Sequence, residues 1–214
     1  MSGVKKAKGC FSYPAASLWP YKLVIALLQR ALNGGVNLQT HTPVDSISEK
    51  PDKTGCWLVN TPRGVVRARK IIFATNAYTA ALAPQYKNKI VPVRGICSRI
   101  VTPKPAPLLS FTYTLRWGPT TYDYLIARAD GSIVVGGARA AFFSNLDSWY
   151  DVTDDSQLID SAKSYFDGYM QRNFRGWEHS EAKTDQVWTG SMANLTKVLI
   201  RRLLTLISNG LFFR

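Results

Sequence analysis

Metal or disulfide chemistry in this chain would have to come from Cys10, Cys56, Cys97, His41 and His179, its only cysteines and histidines. The cysteines are odd in number, widely spaced and without a C-x-x-C pair, so neither a disulfide framework nor a zinc site is indicated. Reduced, partly buried thiols are the plain reading, and two distant histidines are too few for a metal cluster. A second place where chemistry could happen is the apolar run Ile71-Ile72-Phe73, which leads into the small-residue turn Ala74-Thr75-Asn76-Ala77. A parallel α/β sheet presents such turns at its carboxyl edge, where ligands sit. The ordinary alternative is a strand-to-helix connection with Asn76 as the helix N-cap, and local pattern alone favours it.

Composition narrows the function classes. With 214 residues the chain suffices for one substantial domain or two small ones, and folding at that size removes roughly 70% of the unfolded surface from water. Its 46% apolar and 19% charged residues are those of a globular protein. The net charge of +13 raises the question of a polyanionic partner. However, Lys5, Lys6, Lys8, Lys197, Arg201, Arg202 and Arg214 crowd into the two ends, and no interior basic stripe is interleaved with aromatics. Nucleic acid is therefore excluded as the expected partner. The start, MSGVKKAKGCFSYP, has no apolar core of a secretory signal, and no run of 18 apolar residues offers a transmembrane segment. Both point to an intracellular, cytoplasmic location.

The elements that must position these residues follow from periodicity. Residues 20–31 place Leu23, Leu27, Leu28 and Ala31 at helical spacing, with Pro20 suited to the first turn and Asn33-Gly34-Gly35 as the stop. A strand is expected over Gly35 to Ile47, with Val36, Leu38, Thr40 and Thr42 on one side, then a hairpin turning at Pro62-Arg63-Gly64, then a strand from Lys70 to Ala74. From residue 88 to 140 the sequence becomes rich in β-branched and aromatic residues, and Asp130-Gly131 signals a hairpin, so an antiparallel sheet is expected there. Ser156 to Phe174 puts Leu158, Ile159, Ala162, Tyr165, Phe166, Tyr169 and Met170 on one helical face, which predicts a core-facing helix.

Three segments in this order resemble the FAD-dependent oxidoreductase family that includes D-amino-acid, glycine and sarcosine oxidases. They are GCFSYPAASLWPYKLVIALLQRAL from Gly9, THTPVDSI with KIIFATNAYT, and YDYLIARADGSIVVGG preceded by PVRG at Pro92 to Gly95. The likeness covers roughly residues 9 to 190 and is greatest to fungal members. It implies an α/β (α+β) fold: residues 1–80 as an incomplete, Rossmann-like FAD-binding part and residues 81–190 as an antiparallel-sheet substrate domain with a helix. It also gives the turn at Asn76 a reason to exist beyond capping. Two departures stand out. No strand, G-x-G-x-x-G turn and helix precedes Gly9, and residues 191–214 form a divergent basic tail, so the resemblance implies a member truncated at both ends. The tail reads either as a basic amphipathic helix, with Leu195, Leu199, Leu203 and Ile207 opposed to Lys197, Arg201 and Arg202, or as a shifted reading frame.

The family's chemistry implies FAD as cofactor and a small amine or amino acid as substrate, oxidised by hydride transfer to the flavin. By the same resemblance Val44, Ala74, Thr75, Asn76 and Ala77 are the cofactor-binding candidates. Arg116 and Tyr124 are the candidate clamp for a substrate carboxylate, with Arg94 and Arg128 competing, because an arginine can give two parallel charge-assisted hydrogen bonds. No catalytic acid or base is singled out. The alternative is a non-catalytic remnant that binds no FAD by itself.

Overall fold

The computed structural model describes residues 2–103 and 109–195. The chain divides into two compact units, Met1–Ser17 with Pro92–Ala193, and Leu18–Val91 with Asn194–Arg214.

The first unit is built on a five-stranded sheet. Its strands are β4 (Ile90–Val101), β5 (Tyr113–Arg116), β6 (Tyr122–Ala127), β7 (Ile133–Gly136) and β8 (Lys183–Leu195), in the order β5-β6-β7-β4-β8. β5–β6, β6–β7 and β7–β4 are antiparallel, as expected for this stretch. The Asp130-Gly131 hairpin forms as the sequence implied. Gly131 takes φ +82°, and Asp130 Oδ1 accepts from the Ser132 amide at 3.0 Å. Two-residue alternation then sorts the sheet into two faces. Ile96, Ile100, Leu115, Leu125, Ile133 and Val135 point into the core, where they meet Phe142, Trp149, Phe166, Met170, Phe174 and Trp177. Burying each of these large side chains contributes about 1.5–3 kcal/mol. Cys97, Arg99, Thr114, Arg116, Tyr122, Tyr124 and Val134 occupy the opposite face, none of them fully buried.

The segment Ser156–Phe174 corrects the expectation of one helix. Its apolar face is buried as the spacing demanded, but a 3-10 turn at Asp160–Ala162 and a short helix, Tyr169–Asn173, replace the continuous rod. The break is at Gly168, which takes the left-handed φ of +61°. Arg172 reinforces it by donating to the carbonyls of Tyr165 and Asp167, acceptors that a continuous helix would have used internally.

In the second unit the first helix, α1 (Pro20–Asn33), forms where predicted, with Pro20 in its first turn and Gly34 closing on the carbonyls of Arg30 and Ala31. Its expected buried face is a correction: no residue of α1 is buried, and Leu23 and Leu27 are exposed. Local periodicity made the helix, but no layer among the described residues covers it. Strands β1 (Ser46–Ile47), β2 (Trp57–Thr61) and β3 (Gly64–Ala68) make an antiparallel sheet in that order, and β2 and β3 turn at Pro62-Arg63 with Gly64 at φ +131°. The strand expected over residues 35–47 forms only at its end, as β1, because a turn at Thr40-His41 interrupts it, where His41 takes φ +50° and Thr42 Oγ1 donates back to the Thr40 carbonyl. Lys70 to Ala74 pairs with no strand among the described residues, and Ile72 is 89% exposed.

β8 reaches Leu195, so that residue of the expected tail helix ends a strand instead. Leu199, Leu203, Ile207, Lys197, Arg201 and Arg202 lie outside the described residues.

Candidate active site

The outward face of the five-stranded sheet carries the two residues proposed for substrate. Arg116 stands opposite Tyr122 and Thr114 opposite Tyr124, so Arg116 and Tyr124 are diagonal neighbours on one face of β5 and β6. Arg116 is exposed and its guanidinium has no hydrogen-bond or ion-pair partner among the described residues. Tyr124 is held. Across β7 it faces Gly136, and its ring occupies the space that a side chain at Gly136 would need. Its hydroxyl meets Cys97 Sγ at 3.1 Å, and Cys97 faces the same glycine from β4. Cys97, Gly136 and Tyr124 thus form one row across three strands. Burial pushes the Tyr124 phenol well above its ordinary value, with the neighbouring thiol adding to the shift, and burial likewise raises the Cys97 thiol. At neutral pH the row is therefore uncharged and can give or accept hydrogen bonds.

Beneath it, on the core face, is a residue that the sequence reading missed. Asp123 is fully buried, and four donors surround it. Oδ2 accepts from Trp117 Nε1 at 2.8 Å, Tyr165 OH at 2.6 Å and Tyr169 OH at 2.9 Å, while Oδ1 accepts from the Ala138 amide at 2.8 Å. Burial first, and then Asp123 itself, raise the phenols of Tyr165 and Tyr169. The carboxylate joins β6 to the loop after β7 and to the helical layer, which fixes the strand that presents Tyr122 and Tyr124 on the other side. The only signal in sequence is the acid between two tyrosines in Tyr122-Asp123-Tyr124, at the inward position of an alternating strand.

The competing arginines are engaged elsewhere. Arg94 spends its guanidinium on the carbonyls of Ser148, Asp154 and Gln157, and Arg128 bonds Ser132 Oγ and pairs with Asp130 at the hairpin. Both are clamps of the fold.

In the second unit, Thr75 to Ala77 make one tight turn. Asn76 is exposed at φ +47°, Ala77 is buried, and the hydroxyls of Thr75 and Thr79 meet at 2.9 Å. Asn76 is not the N-cap that local pattern suggested, because it already lies inside the 3-10 turn Asn76–Tyr78. A non-glycine residue in that conformation is strained and is kept only where the surroundings impose it. Ala74, exposed, precedes the turn, and half-buried Val44 lies before β1 on a separate segment. No hydrogen bond joins Val44 to the turn among the described residues.

The family model described as FAD dependent oxidoreductase matches residues 2–212. The chain belongs to this family. Its fold is shared by glycine oxidase from Geobacillus kaustophilus, with a TM-score of 0.60 and 19% identity over 81% of this chain and 42% of that one. NikD, described as an unusual amino acid oxidase essential for nikkomycin biosynthesis, aligns with a TM-score of 0.59 and 14% identity over 81% of this chain and 44% of its own. Among curated sequences, mitochondrial dimethylglycine dehydrogenase of Rattus norvegicus is 46% identical over 55 residues, 26% of this chain and 6% of the relative. The chain thus spans less than half the length of each of these relatives.

For the family cofactor, the residues present fit only in part. The small side chains and exposed backbone at Ala74 to Ala77 suit the close approach of a flat group, but the 214 residues contain no G-x-G-x-x-G turn to offer a pyrophosphate its backbone donors. Among the described residues no group of three or more His, Cys, Asp or Glu is placed to hold a metal, and no helix is long and apolar enough to cross a membrane.

Proposed function

We propose that this chain carries the substrate-facing sheet of an FAD-dependent oxidoreductase acting on a small amine or amino acid, with Arg116 and Tyr124 receiving the substrate carboxylate. The observation that carries the reading is their diagonal placement on the outward face of β5 and β6, with the arginine unpaired among the described residues and the tyrosine pinned against Gly136. Arg116 would supply a charge-assisted pair of hydrogen bonds, and the neutral Tyr124 hydroxyl a third. A bound flavin would supply the acceptor for the hydride that leaves the carbon bearing the nitrogen. Family membership and the named activities of the glycine and amino-acid oxidase relatives support the substrate class. Val44 and the turn Ala74 to Ala77 are the residues of the second unit proposed to touch the cofactor.

The same reading holds that these 214 residues alone do not retain FAD tightly, since the pyrophosphate lacks its donors. The test is titration of FAD into the purified chain, followed by flavin fluorescence and visible absorption. Weak or no retention is expected. Submicromolar, stoichiometric binding with hydrogen peroxide release from any amino acid or secondary amine would overturn the non-retention claim and restore a complete enzyme.

A further inference from the structure

Gly190 stands inside β8 where, among the described residues, neither backbone conformation nor packing calls for glycine. Its φ is not positive, so the backbone does not require glycine, and an ideal Cβ there meets nothing within 4 Å, so packing does not either. A glycine inside a strand weakens it and marks a place where a ligand or another backbone comes close. Alternation puts Trp188 and Met192 on the same face, one on each side, and both are exposed. The face is identified by Met192, whose Cε lies 2.8 Å from an ideal Cβ on Gly95. Gly95 is two residues from Cys97, so the Trp188, Gly190 and Met192 side of β8 continues the face that holds Cys97, Tyr124 and Arg116. Gly95 and Gly136 are roofed by Met192 and Tyr124, whereas no described residue covers Gly190.

The gap has a definite size. At about 3.3 Å per residue the Cα atoms of Trp188 and Met192 stand about 13 Å apart, which leaves room between them for one missing side chain. The residues flanking it along this face of the strand are Trp188 and Met192, an indole and a flexible thioether, surfaces that favour an apolar group. Resting on the carboxylate reading above, we propose that the gap over Gly190 seats the apolar substituent of the substrate, an N-alkyl group or a short side chain, and so sets the size of amine that the face accepts.

The test uses the whole chain with 13C-labelled methionine methyls. Of the three methionines, Met192 walls the gap, while Met170, fully buried in the core, reports on folding. Titration with glycine, N-methylglycine and N-butylglycine is expected to move the Met192 signal increasingly, with N-butylglycine binding about tenfold tighter than glycine, while Met170 stays fixed. Gly190→Val should remove that preference without moving Met170. If it disturbs Met170, Gly190→Ala, which has space for its methyl, decides instead by weakening N-butylglycine selectively. A Met192 signal indifferent to N-butylglycine, or unchanged selectivity in the folded Gly190 variants, overturns the proposal. Failure of the carboxylate reading looks different: Arg116→Met would leave glycine binding intact while n-butylamine still moved Met192.

Discussion

Tyr124 covers Gly136 so closely that the two positions form one unit: the ring occupies the space that any Cβ at Gly136 would need. Gly136→Ala must displace the ring or bend β7. It is expected to lower stability by about 1–3 kcal/mol, the usual range for overpacking. Urea unfolding of Gly136→Ala, Tyr124→Ala and the double variant checks this. The double variant should be more stable than the sum of the single effects implies, because removing the ring makes room for the methyl.

Asp123 is expected to be the most sensitive polar residue of the first unit. Asp123→Asn keeps the shape but turns an acceptor toward a donor and removes the charge that Trp117, Tyr165, Tyr169 and the Ala138 amide address. Loss of about 2–4 kcal/mol is expected, since one hydrogen bond to a charged group is worth about 1.5–3 kcal/mol and a donor is left unsatisfied. Chemical denaturation measures it. The exposed pair Arg67 with Asp52 serves as contrast, and Arg67→Ala should leave stability nearly unchanged.

Alkaline pH should unfold the first unit. The phenols of Tyr124, Tyr165 and Tyr169 are all raised above the ordinary tyrosine value of 10.0. Above that value the unfolded chain has lost protons that the folded chain still holds, so their contribution is complete below pH 10 and falls as pH rises beyond it. For the buried Tyr169 the slope is about 1.4 kcal/mol per pH unit until its folded value is reached. Stability measured from pH 8 to 11.5 should be flat and then fall, and Tyr169→Phe should make the fall shallower.

The sequence made the antiparallel sheet legible because β-branched alternation and the Asp130-Gly131 turn are local signals. Helix α1 was legible for the same reason, but its uncovered face was not, since burial depends on what packs against it. Lys70 to Ala74 read as a strand from its side chains, yet a strand needs a neighbour and the described residues supply none. Gly168 was visible in the 156–174 segment, but apolar spacing of 3.6 outweighed it in the reading, and the left-handed break won in the structure. At the candidate site, Arg116 and Tyr124 came from family resemblance. Asp123 and the Cys97–Tyr124 contact depend on register between strands, which no single segment reveals.

The central claim is that the face bearing Arg116 and Tyr124 receives a small amino-acid carboxylate, and ring-labelled tyrosine NMR during titration with N-methylglycine tests it most directly. Arg116 has no partner to lose among the described residues, so Arg116→Met should leave stability nearly unchanged. The account predicts a saturable shift of the Tyr124 signal whose midpoint rises about 10- to 100-fold in Arg116→Met, the loss of a charge-assisted contact of about 1.5–3 kcal/mol. A Tyr124 signal unmoved by N-methylglycine, or the same midpoint in the folded Arg116→Met variant, would contradict it.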